Sequence, residues 1–181
     1  DYVKMYSDTN DKKIIHEKLS DRWEVCLTTS DNDTFEQVSF VNGIHTSLGG
    51  QHVDHITKMI TKHLSETIKK KHKKEVTDKV IKRYLSVYIN SVIVNPSFSS
   101  QTKEKLITTP SKFGSKPVLC KKFLKDCSNY DELIEKILDA NSKNESKDLK
   151  KTDGKKKNKI IVPKLDDANW AGTKKSDQCT L

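Results

Sequence analysis

Gln101-Thr102-Lys103 places an amide and an ammonium on either side of one threonine. In an extended segment alternate side chains point the same way, so the two could converge on one anion. Lysine brings a compact charge for phosphate oxygens and glutamine a neutral donor. Three residues describe an exposed polar loop equally well. A second group, Lys69-Lys70-Lys71-His72-Lys73-Lys74, closes a helical stretch. Lysines suit a helix C-terminus through the macrodipole, yet five in six positions exceed what capping uses. Charge at that density fits sequence-independent contact with a phosphate backbone, and it also fits a solvated helix end. His52 and His55 flank Asp54, but no further carboxylate or cysteine completes a metal site, so no metal ligands are assigned.

The composition sets the frame. The chain has 181 residues, 33% of them hydrophobic and 33% charged. That supports one modest core plus polar segments outside it. The net charge of +9 points to a polyanionic partner or to a lysine-rich solvated surface. No apolar run approaches the roughly 20 residues that span a bilayer. The chain begins at Asp1 without a signal-peptide pattern and reads as a segment of something larger. Cys26, Cys120, Cys127 and Cys179 form no CxxC pair, which argues against zinc and against a disulfide framework.

Several elements must position these groups. Residues 1–20 read as irregular or as a helix end. Trp23, Val25 and Leu27 alternate with polar neighbours, as do Val38, Phe40, Asn42 and Ile44, which predicts two strands. The polar cluster 30–34 between them reads as the turn of a hairpin. Val53, Ile56, Ile60, Leu64 and Ile68 predict a helix over about 51–71, Val80-Ile81 with Tyr84 a shorter one, and Val87, Ile89 and Ile93 a third strand stopped by Asn95-Pro96. Residues 107–118 read as mostly irregular, with a short strand possible near Val118-Leu119, and 121–140 as helical. Residues 141–159 hold eight lysines and little apolar material, the pattern of a flexible or poorly packed connector. Ile160–Pro163 restores order, and Cys179-Thr180-Leu181 resembles the start of a strand. The expected class is α+β, with helices against one face of a small sheet.

Longer stretches carry a resemblance. Arg22-Trp23-Glu24-Val25-Cys26-Leu27-Thr28, Ser39 to Ile44, Thr46 to Asp54, Asn95-Pro96-Ser97-Phe98, Ser100 to Glu104, Lys112 to Ser115, Pro163 to Asn169 and Cys179-Thr180-Leu181 stand in the order found in eukaryotic-type (type IIA) DNA topoisomerase II. The chain resembles the transducer domain of that family. The likeness spans nearly its whole length and fails mainly across 141–159. It implies a ribosomal-protein-like fold with a left-handed βαβ crossover, against the usual right-handed rule, followed by a C-terminal helix and linker. It also implies four parts: a connecting segment at 1–20, the transducer at 21–140, the lysine-rich connector at 141–159, and a joint at 160–181 leading to a metal-binding cleavage domain.

The resemblance further implies roles. Gln101 and Lys103 reach the γ-phosphate of ATP held by an upstream domain, with Lys103 as the catalytic group. Lys69, Lys70, Lys71, Lys73 and Lys74 face DNA, although Lys74 and Glu75 stand where better-known relatives have glycines. Asp166 and Asp167 lie in the joint and bind no metal, and nothing is carried over to Lys155, Lys156, Lys157 and Lys159. ATP and Mg2+ belong to the parent enzyme, an intracellular homodimer, nuclear if cellular and in the host cell or virion if viral. It acts on duplex DNA by strand passage, away from membranes, and this segment alone is expected to be inactive. The alternative is a stand-alone basic nucleic-acid-binding module without nucleotide chemistry.

Overall fold

A computed structural model describes residues 2–6 and 12–152, with the backbone alone for Tyr2 and residues 144–152. The strands are β1 (Ile15–Ser20), β2 (Trp23–Thr29), β3 (Glu36–Val41), β4 (Ile44–His45) and β5 (Leu85–Ser91). The helices are α1 (Gln51–His72), α2 (Asp78–Arg83), α3 (Lys121–Ser128) and α4 (Asp131–Thr152). One unit runs from Asp1 to Glu145; Ser146 onward forms a second, of which only the helical backbone to Thr152 is described. The expectations for residues 153–181, including the later lysines, Asp166 and Asp167, lie outside the described residues.

The sheet order is β1-β2-β5-β3-β4. β5 runs antiparallel to β2 and parallel to β3, so the chain must cross over between β3 and β5, and α1 and α2 lie in that connection. Trp23, Val25 and Leu27 pair with Ser91, Ile89 and Val87 and are almost wholly buried. Val53, Ile56, Ile60, Leu64 and Ile68 of α1 join the same core, as do Ile81 of α2, Phe123 of α3 and Leu133 and Ile137 of α4. Burying each such side chain contributes about 1.5–3 kcal/mol.

Several expectations are corrected. Residues 15–20 form a strand: Ile15 is the deeply buried position, Leu19 packs partly against the core, and the polar positions between and after them suit a sheet edge. β2 and β3 are not a hairpin, because β5 lies between them. The hairpins are β1–β2 across Asp21-Arg22 and β3–β4 across Asn42-Gly43, whose φ values of 52° and 78° match a tight type I′ turn. β5 spans 85–91 and displaces the expected strand by two residues at each end. Val118-Leu119 is not in a strand. The helical stretch from 121 is two helices, since Asn129 caps α3 by donating its N–H to Lys125 and Asp126 carbonyls. The lysine-rich stretch begins helical, with α4 continuing to Thr152.

Candidate functional site

Residues 97–108 form a short hairpin beside the sheet. Ile107 N–H donates to the Ser97 carbonyl (2.9 Å) and Ser99 N–H to that of Lys105 (3.0 Å). Thr108 Oγ1 accepts from Ser97 N–H at 2.7 Å. At the tip, Lys103 N–H donates to the Ser100 carbonyl (3.1 Å), and the Ser100 and Thr102 hydroxyls pair at 2.7 Å. Gln101 and Lys103 therefore lie on a turn, not on the extended run that would align alternate side chains. Residues 99–105 are all exposed. Neither Gln101 nor Lys103 makes a side-chain bond among the described residues, so both heads are open to a ligand.

Lys103 has φ 58°. In that left-handed region an L-residue costs about 1–2 kcal/mol, and only glycine, asparagine and aspartate visit it readily. The other non-glycine positions of this kind among the described residues are Asp33, Asn42, Asn95 and Lys73. Three of these four are Asn or Asp. The two lysines stand apart, and each belongs to one of the candidate groups.

The loop is fixed at both ends. Asn42 accepts from Ile93 N–H (2.8 Å) and donates to the Ile93 carbonyl (3.0 Å), extending β5 toward Asn95. Downstream, Leu106 N–H donates to the Gly49 carbonyl (3.0 Å), Gln51 N–H to that of Leu106 (3.1 Å), and Leu48 N–H to that of Glu104 (3.0 Å). The loop is thereby hydrogen-bonded to the first residues of α1.

His52 explains much of the Thr46 to Asp54 stretch. It is fully buried, with Nε2 3.3 Å from Thr46 Oγ1. Thr46 Oγ1 also lies 3.0 Å from the Ser39 carbonyl and 2.6 Å from Ser39 Oγ, so the ring ends a short buried chain of hydrogen bonds. Nδ1 has no partner among the described residues, and burial pushes the ring down to about 4 despite the Asp54 charge nearby. Gln37 Nε2 donates to the Ser47 carbonyl at 2.8 Å. His52 thus serves as a neutral peg for the turn before α1. His55 is also lowered, by burial and then by Lys58, and packs edge-on against Phe113 at 6.2 Å. Among the described residues no three His, Cys, Asp or Glu side chains come together as a metal site. Burial raises the Cys26 and Cys127 thiols to about 11 and about 12, so neither is a nucleophile at neutral pH.

At the far end of α1 the lysines divide. Lys69 pairs with Glu75 at 2.6 Å, which raises its pKa and lowers that of the carboxylate. Lys71 reaches the Ser128 carbonyl (3.4 Å) and Asn129 Oδ1 (3.3 Å), tying α1 to the α3–α4 joint. Lys73 caps the helix with φ 54°, its N–H on the Lys69 carbonyl, a position usually given to glycine. Lys70, Lys73 and Lys74 make no side-chain pair among the described residues.

A mixed sheet with a helical crossover, one exposed strained lysine on a pinned loop and a lysine-dense helix end together describe an α+β domain. The family described as DNA gyrase B matches residues 1–157. DNA topoisomerase 2 of Arabidopsis thaliana is 43% identical, aligned over 100% of this chain and 13% of its own length. DNA topoisomerase 2-beta of Homo sapiens is 46% identical over 93% of this chain and 10% of its own. The crystal structure of the ATPase and transducer domains of DNA topoisomerase II from Balamuthia mandrillaris superimposes with a TM-score of 0.73 at 36% identity, covering 80% of this chain and 37% of that one. The ATPase region of Saccharomyces cerevisiae topoisomerase II gives 0.65 at 37% identity, covering 76% of this chain and 34% of that one. The chain belongs to the DNA gyrase B family, in its eukaryotic-type topoisomerase II branch, and aligns with part of the ATPase and transducer region of those structures. It spans about a tenth of the length of the relatives it matches.

Proposed function

We propose that this chain is the transducer of an ATP-dependent type II DNA topoisomerase, with Lys103 and Gln101 reading the terminal phosphate of a nucleotide held by another part of the polypeptide. The observation that carries it is Lys103: a lysine with an open head, held in a costly backbone conformation, on a loop fixed at both ends. Strain of this kind collects where function requires it. The ammonium would stabilise charge developing on the transferring phosphoryl group, and the Gln101 amide would orient it. A solvent-exposed tip suits contact with a ligand owned by another domain. ATP with Mg2+ supplies the phosphoryl group when bound; this chain contributes one cation and one neutral donor.

At the other end of α1, Lys70, Lys73 and Lys74 contact duplex DNA through its phosphates, while Lys69 and Lys71 hold the patch in shape. The parent would be an intracellular homodimer that passes one duplex through another, with this segment at 21–140 relaying nucleotide state toward the cleavage domain beyond 160–181. Long relatives matched across the chain favour this over an independent nucleic-acid-binding module. In the full-length polypeptide, Lys103→Ala should cut ATP hydrolysis by roughly 10²–10³ with folding intact. Turnover at the wild-type rate would remove the assignment.

A further inference from the structure

Loop 97–108 is only as well placed as the surface it rests on, and that surface is the turn before α1. Gly50 forms a parallel bridge with Leu106 and has φ 134°, a conformation side chains rarely adopt. A Cβ on Gly50 would lie 2.3 Å from the Leu106 carbonyl oxygen, 2.6 Å from its nitrogen and 2.9 Å from its carbonyl carbon. All three are backbone atoms, so no rotamer change relieves the clash; the loop strand itself has to move. The turn, by contrast, is immobilised from behind by the Thr46–His52 contact and by Gln37 on the Ser47 carbonyl. Leu106 is wholly buried and lies three residues after Lys103.

We infer that Gly50 is a positioning residue for phosphoryl transfer: the missing side chain lets Leu106 lie against the start of α1 and so sets where Lys103 and Gln101 stand. This rests on the reading of Lys103 given above. Gly50 touches no nucleotide, and its effect passes through the register of one strand. A displacement near 1 Å at a group acting on a transition state costs about 10²-fold in rate.

The test uses the full-length polypeptide with ATP. Gly50→Ala should lower kcat for hydrolysis about 10²-fold while KM for ATP stays within about twofold, because the groups that hold the nucleotide are elsewhere. The double variant Gly50→Ala/Lys103→Ala should be no slower than Lys103→Ala alone, since residues acting as one unit are not additive. Wild-type kcat in Gly50→Ala beside a slow Lys103→Ala, or two defects that multiply, would overturn the positioning role and leave the Lys103 reading standing. A wild-type rate in Lys103→Ala would remove both. Should Gly50→Ala fail to fold, replacing the Leu106 amide by an ester deletes its bond to Gly49 without adding an atom. A several-fold drop in kcat at constant KM then supports the inference, and an unchanged kcat overturns it.

Discussion

Replacing Lys103 by glycine should move stability and activity in opposite directions. At φ 58° a lysine costs about 1–2 kcal/mol relative to glycine. Glycine loses about 0.5–1 kcal/mol more conformational freedom on folding. The Lys103 side chain is exposed and unpaired among the described residues, so little packing is lost. The balance is a gain of up to about 1.5 kcal/mol, or up to roughly 6 °C in Tm for a chain of this size. Thermal unfolding of the chain, followed by circular dichroism, reads that shift. ATP hydrolysis by the full-length polypeptide carrying the same change should fall roughly 10²–10³-fold. Lys103→Ala is the control, because alanine keeps the strain and loses the charge: hydrolysis falls as far, and Tm does not rise. A lower Tm for Lys103→Gly, or hydrolysis at the wild-type rate, refutes the claim that strain is retained there for the sake of the ammonium.

Changing Lys70, Lys73 and Lys74 together to alanine should weaken stimulation of hydrolysis by duplex DNA and reduce the log–log salt slope of binding by up to about 0.9 per lost contact; Lys69→Ala, whose partner is Glu75, should change the slope less. Stability should also fall as pH drops from about 6.5 toward 4, because burial holds His52 near 4 in the folded chain while the unfolded chain takes up the proton near the ordinary value. Full neutral-pH stability is present above that window, and the loss through it is on the order of 3 kcal/mol. His52→Gln should flatten this part of a Tm–pH profile.

The core elements were legible because their periodicities were strong. Trp23, Val25 and Leu27 could be read as one strand face, and Val53 to Ile68 as one helix stripe. β1 was missed because its polar positions follow the logic of an edge, with one deeply buried residue. Pairing β2 with β3 followed from nearness in sequence. The contrary signal was present in Leu85-Ser86-Val87-Tyr88-Ile89, buried on both faces as a central strand must be. At the site, residue types marked Gln101, Lys103 and the lysine group. Their geometry was not legible: Lys103 in a left-handed turn, the division of the lysines, and the fit of Gly50 on Leu106 depend on contacts between distant parts of the chain. His52, which carried no assigned role in the sequence, is a buried peg.

The strand order bears on how the chain acquires its shape during synthesis. β2 and β3 emerge early, each able to pair with its immediate neighbour, but the strand that joins the two halves is made after α1 and α2. At about 5–20 residues per second, Ser91 follows Val41 out of the ribosome by roughly 3–10 s. Through that interval β2 and β3 each keep an open edge, the kind of surface through which chains stick to one another. A polypeptide ending before Leu85 would lack the one strand that joins β1–β2 to β3–β4, and isolated hairpins of that size are marginal in water.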